Sequence, residues 1–238
     1  MEPAPGRVLH VDERYAFAAD VGHTWGAVEG IRLGDVELAV AEVDGYMHEA
    51  QIARCSWWQT ERSTPADLEE RLLALGLTRN ESDYLHAAML LTTEPPRVDG
   101  IEARAVATLE EYIEARRIAR AAFRNPHEPE QTHEELAREW ERLLDPQFAT
   151  WIDGRMAAVG SVVLTRVGGY LMVGSTAEWA RGRGAYRAVV RARWDAVVAR
   201  GTPALAVGAG PMSQPILAGL GFEQVLEFRR VESVRSVT

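Results

Sequence analysis

The chain has 238 residues, of which 47% are hydrophobic, so it is long enough for one large domain or two small ones with a real core. It has no apolar run of roughly 18 residues, and its start (MEPAPGRVLH) lacks the pattern of a signal peptide, so we expect no membrane partner and no secretion. The net charge is −9, which disfavours nucleic acid as a partner because its phosphates are negative.

Cysteine usage indicates a reducing environment. Cys55 is the only cysteine, so no intramolecular disulfide and no cysteine zinc site can form, and we expect no metal. We interpret Cys55 as a small buried hydrophobic residue. Together with the absence of a signal peptide pattern, this predicts a cytoplasmic protein.

The first part of the chain shows few regular patterns. Thr64-Pro65-Ala66-Asp67 is typical of a helix start, with Thr64 as the N-cap and Pro65 at the first helical position. The apolar stripe that should follow consists of Leu68, Leu72, Leu73 and Leu75. A strand is predicted at 86–91.

A linker is predicted at 92–100 (TTEPPRVDG), where two prolines stand among polar residues. We therefore divide the chain into modules 1–96 and 97–238. In the second module a short strand near 101–106 should precede two helices near 109–124 and 133–144, which Asn125-Pro126 separates. Thr108 and Thr132 each begin a capping box, T-L-E-E and T-H-E-E.

Three antiparallel strands are predicted next, at 148–152, 155–165 and 170–174. Asp153-Gly154 is a strong two-residue hairpin signal, and Gly168-Gly169 repeats it. A long helix should then end at Gly201, with arginines on much of one face. Its apolar face consists of Tyr186, Val189, Val190, Trp194, Val197 and Val198.

The chain closes with a strand at 204–207, a short helix at 213–220 ending in Gly221-Phe222, and a strand at 224–231. The order β-α-α-β-β-β-α-β-α-β indicates an α/β sandwich rather than a doubly wound sheet. The first module's strand, helix, glycine and strand resemble 204–231, so we interpret that module as a partial copy of the second.

The segment 174–186 (GSTAEWARGRGAY) is the most informative. A strand ends there, and a long helix begins within a cluster of arginines and glycines. The first amides of a helix lack partners at the positive end of its dipole, and glycines let an anion approach closely. A pyrophosphate fits such a site. Taken alone, R-G-R-G also fits an ordinary basic turn.

Residues 97–238 resemble the GNAT superfamily of N-acetyltransferases. The stretch 181–186 stands where that family has Gln/Arg-x-x-Gly-x-Gly/Ala around the CoA pyrophosphate, and Gly221-Phe222 resembles its closing Gly-Phe. The resemblance implies an α/β fold with a mixed central sheet flanked by helices, preceded here by a partial GNAT-like α/β module. It also implies that acetyl-CoA is the co-substrate and that it binds in a V-shaped gap between two parallel strands. The cofactor contacts it implies are Val173, Gly174, Ser175, Arg181, Gly182, Arg183, Gly184, Ala185 and Tyr186.

Three positions depart from the family pattern. Tyr186 replaces a small residue, although only its backbone amide is needed for the pyrophosphate. Gly210 stands where many members have a cofactor-contacting asparagine. Leu217 stands where many have a tyrosine that protonates the leaving thiolate. Ser213 is a nearby hydroxyl, which we interpret as a helix cap.

The resemblance does not identify the catalytic residues. The base that deprotonates the amine could be Glu178, Glu223, Asp153 or an N-terminal carboxylate. Side chains that could line an acceptor pocket are His23, Trp25, Tyr84 and His86, each of which also fits packing or surface.

The sequence therefore predicts acetyl transfer to a small-molecule amine. Residues 1–96 contain 17 acidic residues and 7 arginines, whereas residues 97–238 contain 18 acidic residues and 19 arginines. We expect this acidic module to bind no cofactor, because 20–50 lacks an Arg/Gly motif, and to form an acceptor-side wall that favours cations. An acidic surface that only keeps the protein soluble is the alternative.

Other functions stay open at this point. The chain could be a non-catalytic acyl-CoA sensor, which the missing tyrosine favours, or a different phosphate-binding protein. It is not a P-loop NTPase, because it has no G-x-x-x-x-G-K-[ST]. A monomer and a homodimer both fit the sequence.

Overall fold

A computed structural model describes residues 7–20, 25–79, 85–123 and 130–235. The chain forms two compact units, one of residues 1–88 and 225–238 and the other of 89–224. The sequence-based division falls at 96 and 97 and assigns the last strand to the second module. Most of that strand instead belongs to the first unit, because it hydrogen-bonds to a strand at 54–59.

The first unit is a mixed sheet with two helices. Its elements are β1 (Arg7–Val11), β2 (Ala16–Asp20), β3 (Trp25–Glu29), α1 (Val36–Glu49), β4 (Arg54–Gln59), α2 (Leu68–Ala74), β5 (Thr78–Arg79) and most of the last strand. Strands β1, β2 and β3 are antiparallel, β3 and β4 are parallel, and β4 is antiparallel to the last strand. The strand β6 (Leu85–Leu91) spans the division between the units.

Alternation along these strands builds the core of the first unit. Phe17, Val28, Trp57 and Val231 are completely buried and pack in one cluster with α1 and α2. Cys55 belongs to the same cluster, as the sequence predicts, and burial raises the pKa of its thiol.

The predicted start of α2 was wrong. Asp67 is the N-cap and the helix begins at Leu68. Thr64 does not cap it, because its backbone is engaged elsewhere: its amide donates to the Ile31 carbonyl, and its carbonyl accepts from the Leu33 amide.

Apart from the last strand, the second unit contains the elements expected of the second module, within a few residues of the predicted bounds. They are β7 (Ala103–Ala105), α3 (Leu109–Phe123), α4 (His133–Glu141), β8 (Gln147–Ile152), β9 (Arg155–Leu164), β10 (Gly169–Thr176), a 3-10 turn (Glu178–Ala180), α5 (Ala185–Ala199), β11 (Leu205–Ala209) and α6 (Gln214–Ala218), before the last strand, β12 (Glu223–Val234). Strands β7 to β10 are antiparallel in series, and β10 is parallel to β11.

Local signals explain several of these bounds. Thr132 and Glu135 form the complete capping box of α4. At the start of α3 only half of the box forms: Thr108 accepts from the Glu111 amide, whereas the Glu111 carboxylate binds the Ala107 amide. Asp153 and Gly154 have φ of 52° and 75°, which suits the tight turn between β8 and β9.

Two core clusters flank the sheet of the second unit. One joins α3 and α4 to Ala149, Met156 and Val159, and the other joins α5 to Ala158 and Ile152. No helix in the described part of the chain is both long and apolar enough to cross a membrane.

Helix α5 differs from its predicted pattern at two residues. Val189, Val190, Trp194 and Val197 are buried as expected, but Val198 is 46% exposed. Arg193, which the pattern assigns to the arginine face, is completely buried, because Gly160 on β9 leaves room for its guanidinium.

Candidate functional site

The strand β10 contains a bulge at the residues that the sequence singled out. Its pairing with β9 shifts between Met172 and Ser175, and Val173 has φ of 49°. Because a β-branched residue rarely adopts this left-handed conformation, the bulge is a strained feature of the strand. It turns the backbone of Val173 and Gly174 out of the regular ladder.

The parallel pairing of β10 and β11 ends early. Gly169 pairs with Leu205 and Tyr170 with Ala206, and the described residues of the two strands form no further pair, although β10 continues to Thr176 and β11 to Ala209. The two strands therefore leave backbone groups free beside the bulge, as expected for the edges of a gap.

The start of α5 has free backbone amides. Gly184 is the N-cap with φ of 85°, makes no side-chain cap and is followed by no acidic residue in the first turn. Among the described residues, no hydrogen bond is recorded for the amides of Gly182 or Gly184 or for those of Ala185, Tyr186 and Arg187. Such amides, together with the helix dipole, favour an anion.

Charge around these amides is positive. Arg181 has no ion pair or hydrogen bond from its side chain within the described part of the chain, and Arg183 is 3.5 Å from Asp153 in a largely exposed pair. Two guanidinium groups are thus available beside the free amides, which suits a phosphate ligand.

The predicted site residues on β10 and α5 come together. A Cβ atom at Gly174 would lie 2.8 Å from the Tyr186 ring and 2.9 Å from its hydroxyl, so glycine is needed for the tyrosine to fit. Ser175 is buried, and its hydroxyl has no partner among the described residues.

The first unit has the same strand–helix–strand arrangement without these features. Strands β3 and β4 pair at four successive positions, from Trp25 with Arg54 to Val28 with Trp57. The start of α1 is capped, because the Asp35 carboxylate accepts from the Leu38 amide. Sequence reasoning noted the missing Arg/Gly motif but not this cap.

Other positions named from the sequence are placed as follows. Leu217 is buried on α6. Ser213 occupies the N-cap position of that helix, as expected, but its hydroxyl donates to the Gly210 carbonyl at 3.2 Å and makes no capping hydrogen bond. The His86 ring packs edge-on against Trp58, with 5.0 Å between centroids. Trp25 lies in β3, and His23 and Tyr84 lie outside the described residues.

A cavity of about 780 Å³ lies beside α3 and the 3-10 turn within the second unit. Its wall includes Glu110, Glu114, Glu178, Trp151 and Trp179. Glu114 is paired with Arg117, whereas Glu178 has no recorded partner in the described structure. Sequence reasoning named Glu178 but not the glutamates of α3, whose periodicity alone indicates a solvated helix face.

Asp153 and Glu223, which were also considered as bases, do not line this cavity. Asp153 faces Arg183, and Glu223 is exposed at the start of β12. No group of three or more His, Cys, Asp or Glu residues that could hold a metal ion occurs in the ranges that the structure describes.

The fold is that of the GCN5-related N-acetyltransferases, in a two-module arrangement, as the sequence resemblance predicts. A GCN5-related N-acetyltransferase from Kribbella flavida matches with a TM-score of 0.68 and 16% identity, over 96% of this chain and 90% of that one. A GCN5-related N-acetyltransferase from Sphaerobacter thermophilus matches with a TM-score of 0.65 and 15% identity, over 93% of this chain and 79% of that one.

A tandem GNAT protein of the clavulanic acid biosynthesis pathway also matches, with a TM-score of 0.64 and 13% identity, over 98% of this chain and 84% of that one. No protein-family model and no curated protein sequence matches the chain. At these identities the likeness establishes the fold, and the activity has to be argued from the site.

Proposed function

We propose that the protein is an acetyl-CoA-dependent N-acetyltransferase that acts on an amine of a small molecule. One observation carries the proposal. The bulge of β10, near which this strand stops pairing with β11, lies beside the start of α5, which is uncapped and flanked by arginines. A ligand with a pyrophosphate and an amide-containing arm is complementary to this pair of features.

The residues present fit acetyl-CoA. The free amides of Gly182 and of 184–187 and the guanidinium groups of Arg181 and Arg183 would hold the pyrophosphate. The unpaired backbone of Val173 and Gly174 and the orphaned hydroxyl of Ser175 would hold the pantetheine arm. Bound acetyl-CoA supplies an activated acetyl group, and the chain's part is to hold the amine against it.

The acceptor would be a cationic amine in the cavity beside α3. Glu178 is unpaired among the described residues, and Glu110 also lines the cavity, as do Arg117, Arg155 and Arg181. The Trp151 and Trp179 rings add flat apolar surface, although arginines already stack on both, Arg104 on the first and Arg155 on the second. The proposal therefore retains a preference for cations but derives it from residues of the second unit.

A non-catalytic acyl-CoA sensor is the second candidate, because Leu217 has no proton to give the leaving thiolate. The two are separated by measuring CoA binding calorimetrically and then turnover with a panel of small amines. The enzyme hypothesis predicts binding and acetylation of at least one amine. Binding without turnover across the panel would favour the sensor, and binding of ATP in preference to CoA would contradict both.

A further inference from the structure

The interior of the second unit contains an arginine, Arg193 on α5. Its side chain is completely buried and donates to two carbonyls, from Nε to Val189 at 3.2 Å and from Nη1 to Ser161 at 3.3 Å. Among the described residues no carboxylate pairs with it, and Nη2 has no hydrogen-bond partner. Because burial of an unpaired charge costs free energy, space-filling alone is a poor explanation for an arginine at this position.

The Arg193 guanidinium lies on β9 at the point where β10 leaves its regular register. Its Nη1 donates to the carbonyl of Ser161, and Ser161 pairs with Met172 in the last regular pair before the bulge. The next residue of β9, Gly160, therefore lies opposite the bulge. A Cβ atom at Gly160 would be 2.7 Å from Nη1 and 2.9 Å from the guanidinium carbon, so the arginine occupies the space directly above this glycine.

Tyr186 continues this layer of side chains over the bulge itself. A Cβ atom at Gly174 would be 2.8 Å from the Tyr186 ring, and the centre of that ring is 5.7 Å from the Arg193 guanidinium carbon. Burial lowers the pKa of Arg193, and the interaction with Tyr186 opposes this shift. The two side chains therefore fill the space between α5 and the part of the sheet that includes Gly160 and Gly174.

Occupation of this layer excludes the regular register of β10. If the ladder continued after Met172, Val173 would pair with Gly160, and the side chains of paired residues project from the same face of a sheet. The Val173 side chain would then point into the space that the guanidinium and the Tyr186 ring fill. In the structure Val173 instead has φ of 49°, a strained conformation that persists only where the surroundings impose it.

We propose that Arg193 is a positioning residue that keeps β10 bulged and so keeps the backbone of Val173 and Gly174 available to the amide-containing arm of CoA. This inference rests on the proposed function, in which that backbone holds the arm and the start of α5 holds the pyrophosphate. Arg193 lies about two and a half helical turns beyond Gly184, so its loss should leave the pyrophosphate contacts in place. The two parts of the ligand should therefore respond differently to its removal.

The first experiment compares CoA with 3′-phospho-ADP, which is CoA without its pantetheine arm. In the wild type, calorimetry should show tighter binding of CoA, because the free strand backbone bonds to the arm. Arg193→Ala lets Val173 return to the regular register, so it should lower CoA affinity about tenfold, the loss for one or two backbone hydrogen bonds, and change the affinity for 3′-phospho-ADP less than about twofold. A folded Arg193→Ala variant with the wild-type ratio of affinities would overturn the proposal.

Two further variants separate this role from general packing. Val197→Ala is the matched control, because Val197 is as deeply buried on α5 but packs at Gly169, where β10 still pairs with β11. It should cost stability and keep the ratio of the two affinities, and a ratio that falls equally in Val197→Ala and Arg193→Ala would show that packing alone is responsible. Arg193→Met fills more of the space without a hydrogen bond to Ser161, so it should stay folded and its ratio should fall by a smaller factor. If Arg193→Ala does not fold, an unchanged ratio in Arg193→Met overturns the proposal.

Val173→Gly tests the mechanism directly. Glycine adopts the φ of 49° without strain, so the bulge no longer depends on Arg193. Arg193→Ala in this background should therefore lose much less CoA affinity than it does alone, and equal losses in both backgrounds would contradict the proposed control of the register. A wild type that binds CoA no more tightly than 3′-phospho-ADP would instead contradict the proposed function, because the arm would then have no site on β10.

Discussion

The Asp35 carboxylate accepts a hydrogen bond from the Leu38 amide at 2.9 Å and so closes the start of α1, whereas Gly184, at the corresponding place before α5, leaves the amides free. A fixed carboxylate at a helix start repels a phosphate and satisfies a donor that the phosphate would need. The hydrogen bond of Asp35 is therefore one of the features that distinguish the start of α1 from the start of α5.

This contrast predicts one CoA site per chain. Strands β3 and β4 pair without a bulge, so the described residues of the first unit show neither the gap nor the open helix start. Isothermal titration should give a stoichiometry near one. Two sites of equal affinity would refute the assignment of the site to the second unit alone.

Gly184→Asp should weaken CoA binding by more than about tenfold. The new carboxylate would stand among the free amides and face the pyrophosphate, and its Cβ would come within 2.8 Å of Val98. The left-handed φ of 85° adds strain of about 1–2 kcal/mol. Affinity is measured by titration after folding has been checked by circular dichroism.

Gly201→Asp is the matched control for that variant. Gly201 follows the same helix with φ of 75° and has open space around it, so it shares the backbone strain but not the Val98 contact, and its carboxylate is at the opposite end of α5. It should lose stability and keep CoA affinity. Equal losses of affinity in both variants would show that strain, not charge, weakens binding.

Much of the second unit could be predicted from its sequence because its signals are local. The Thr132 capping box and the Asp153-Gly154 turn each involve residues close in sequence and appear as expected. The bulge at Val173 has no such signal, since only packing holds a β-branched residue in that conformation. Likewise nothing in the pattern of α5 reveals that Gly160 makes a burial site for Arg193.

The first unit was harder to predict for a related reason. Strands β1 to β3 are five residues each, β2 and β3 include small residues, and the turn between β1 and β2 carries a weak signal. The place of β12 depends on pairing with β4, more than 150 residues away in sequence, and composition carries no information about such a contact.

Leu217→Ala should cost stability and leave the chemistry intact. Leu217 is 1% exposed, so its truncation should lower the free energy of unfolding by about 2–5 kcal/mol, measured by urea denaturation. Its neighbour Ile216 is 53% exposed, and Ile216→Ala should cost far less. Loss of turnover in a folded Leu217→Ala variant with unchanged CoA affinity would contradict this prediction, because it would show that α6 has a catalytic role.

Tyr15→Phe should destabilise the first unit in a pH-dependent way. The Tyr15 hydroxyl donates to Glu42 at 2.8 Å, and this bond, together with Arg14, lowers the pKa of Glu42. A lowered pKa in the folded state contributes stability above the ordinary range of glutamate and loses it as pH falls. The variant should therefore lose about 1–2 kcal/mol at neutral pH, and the difference should shrink in acid.

Urea titrations at several pH values measure this difference. Tyr46→Phe is the control, because the Tyr46 hydroxyl contacts His10 at 3.1 Å rather than a carboxylate. A constant difference between Tyr15→Phe and wild type from neutral to acid pH would show that the hydrogen bond to Glu42 is not the cause.

The last prediction concerns the acceptor. If the cavity beside α3 receives the amine, its unpaired Glu178 should favour a cation over a neutral amine of the same shape. Glu178→Gln removes that charge and keeps the shape of the side chain. The KM for the cationic amine should therefore rise about two- to fivefold, which is the range for a partly exposed charge, and the KM for the neutral amine should not change. Glu141→Gln, an exposed change on α4 outside the cavity wall, should alter neither. Because salt screens such attraction, the wild-type preference should fall between low and high ionic strength. Equal use of both amines at low salt would show that charge has no part in acceptor choice.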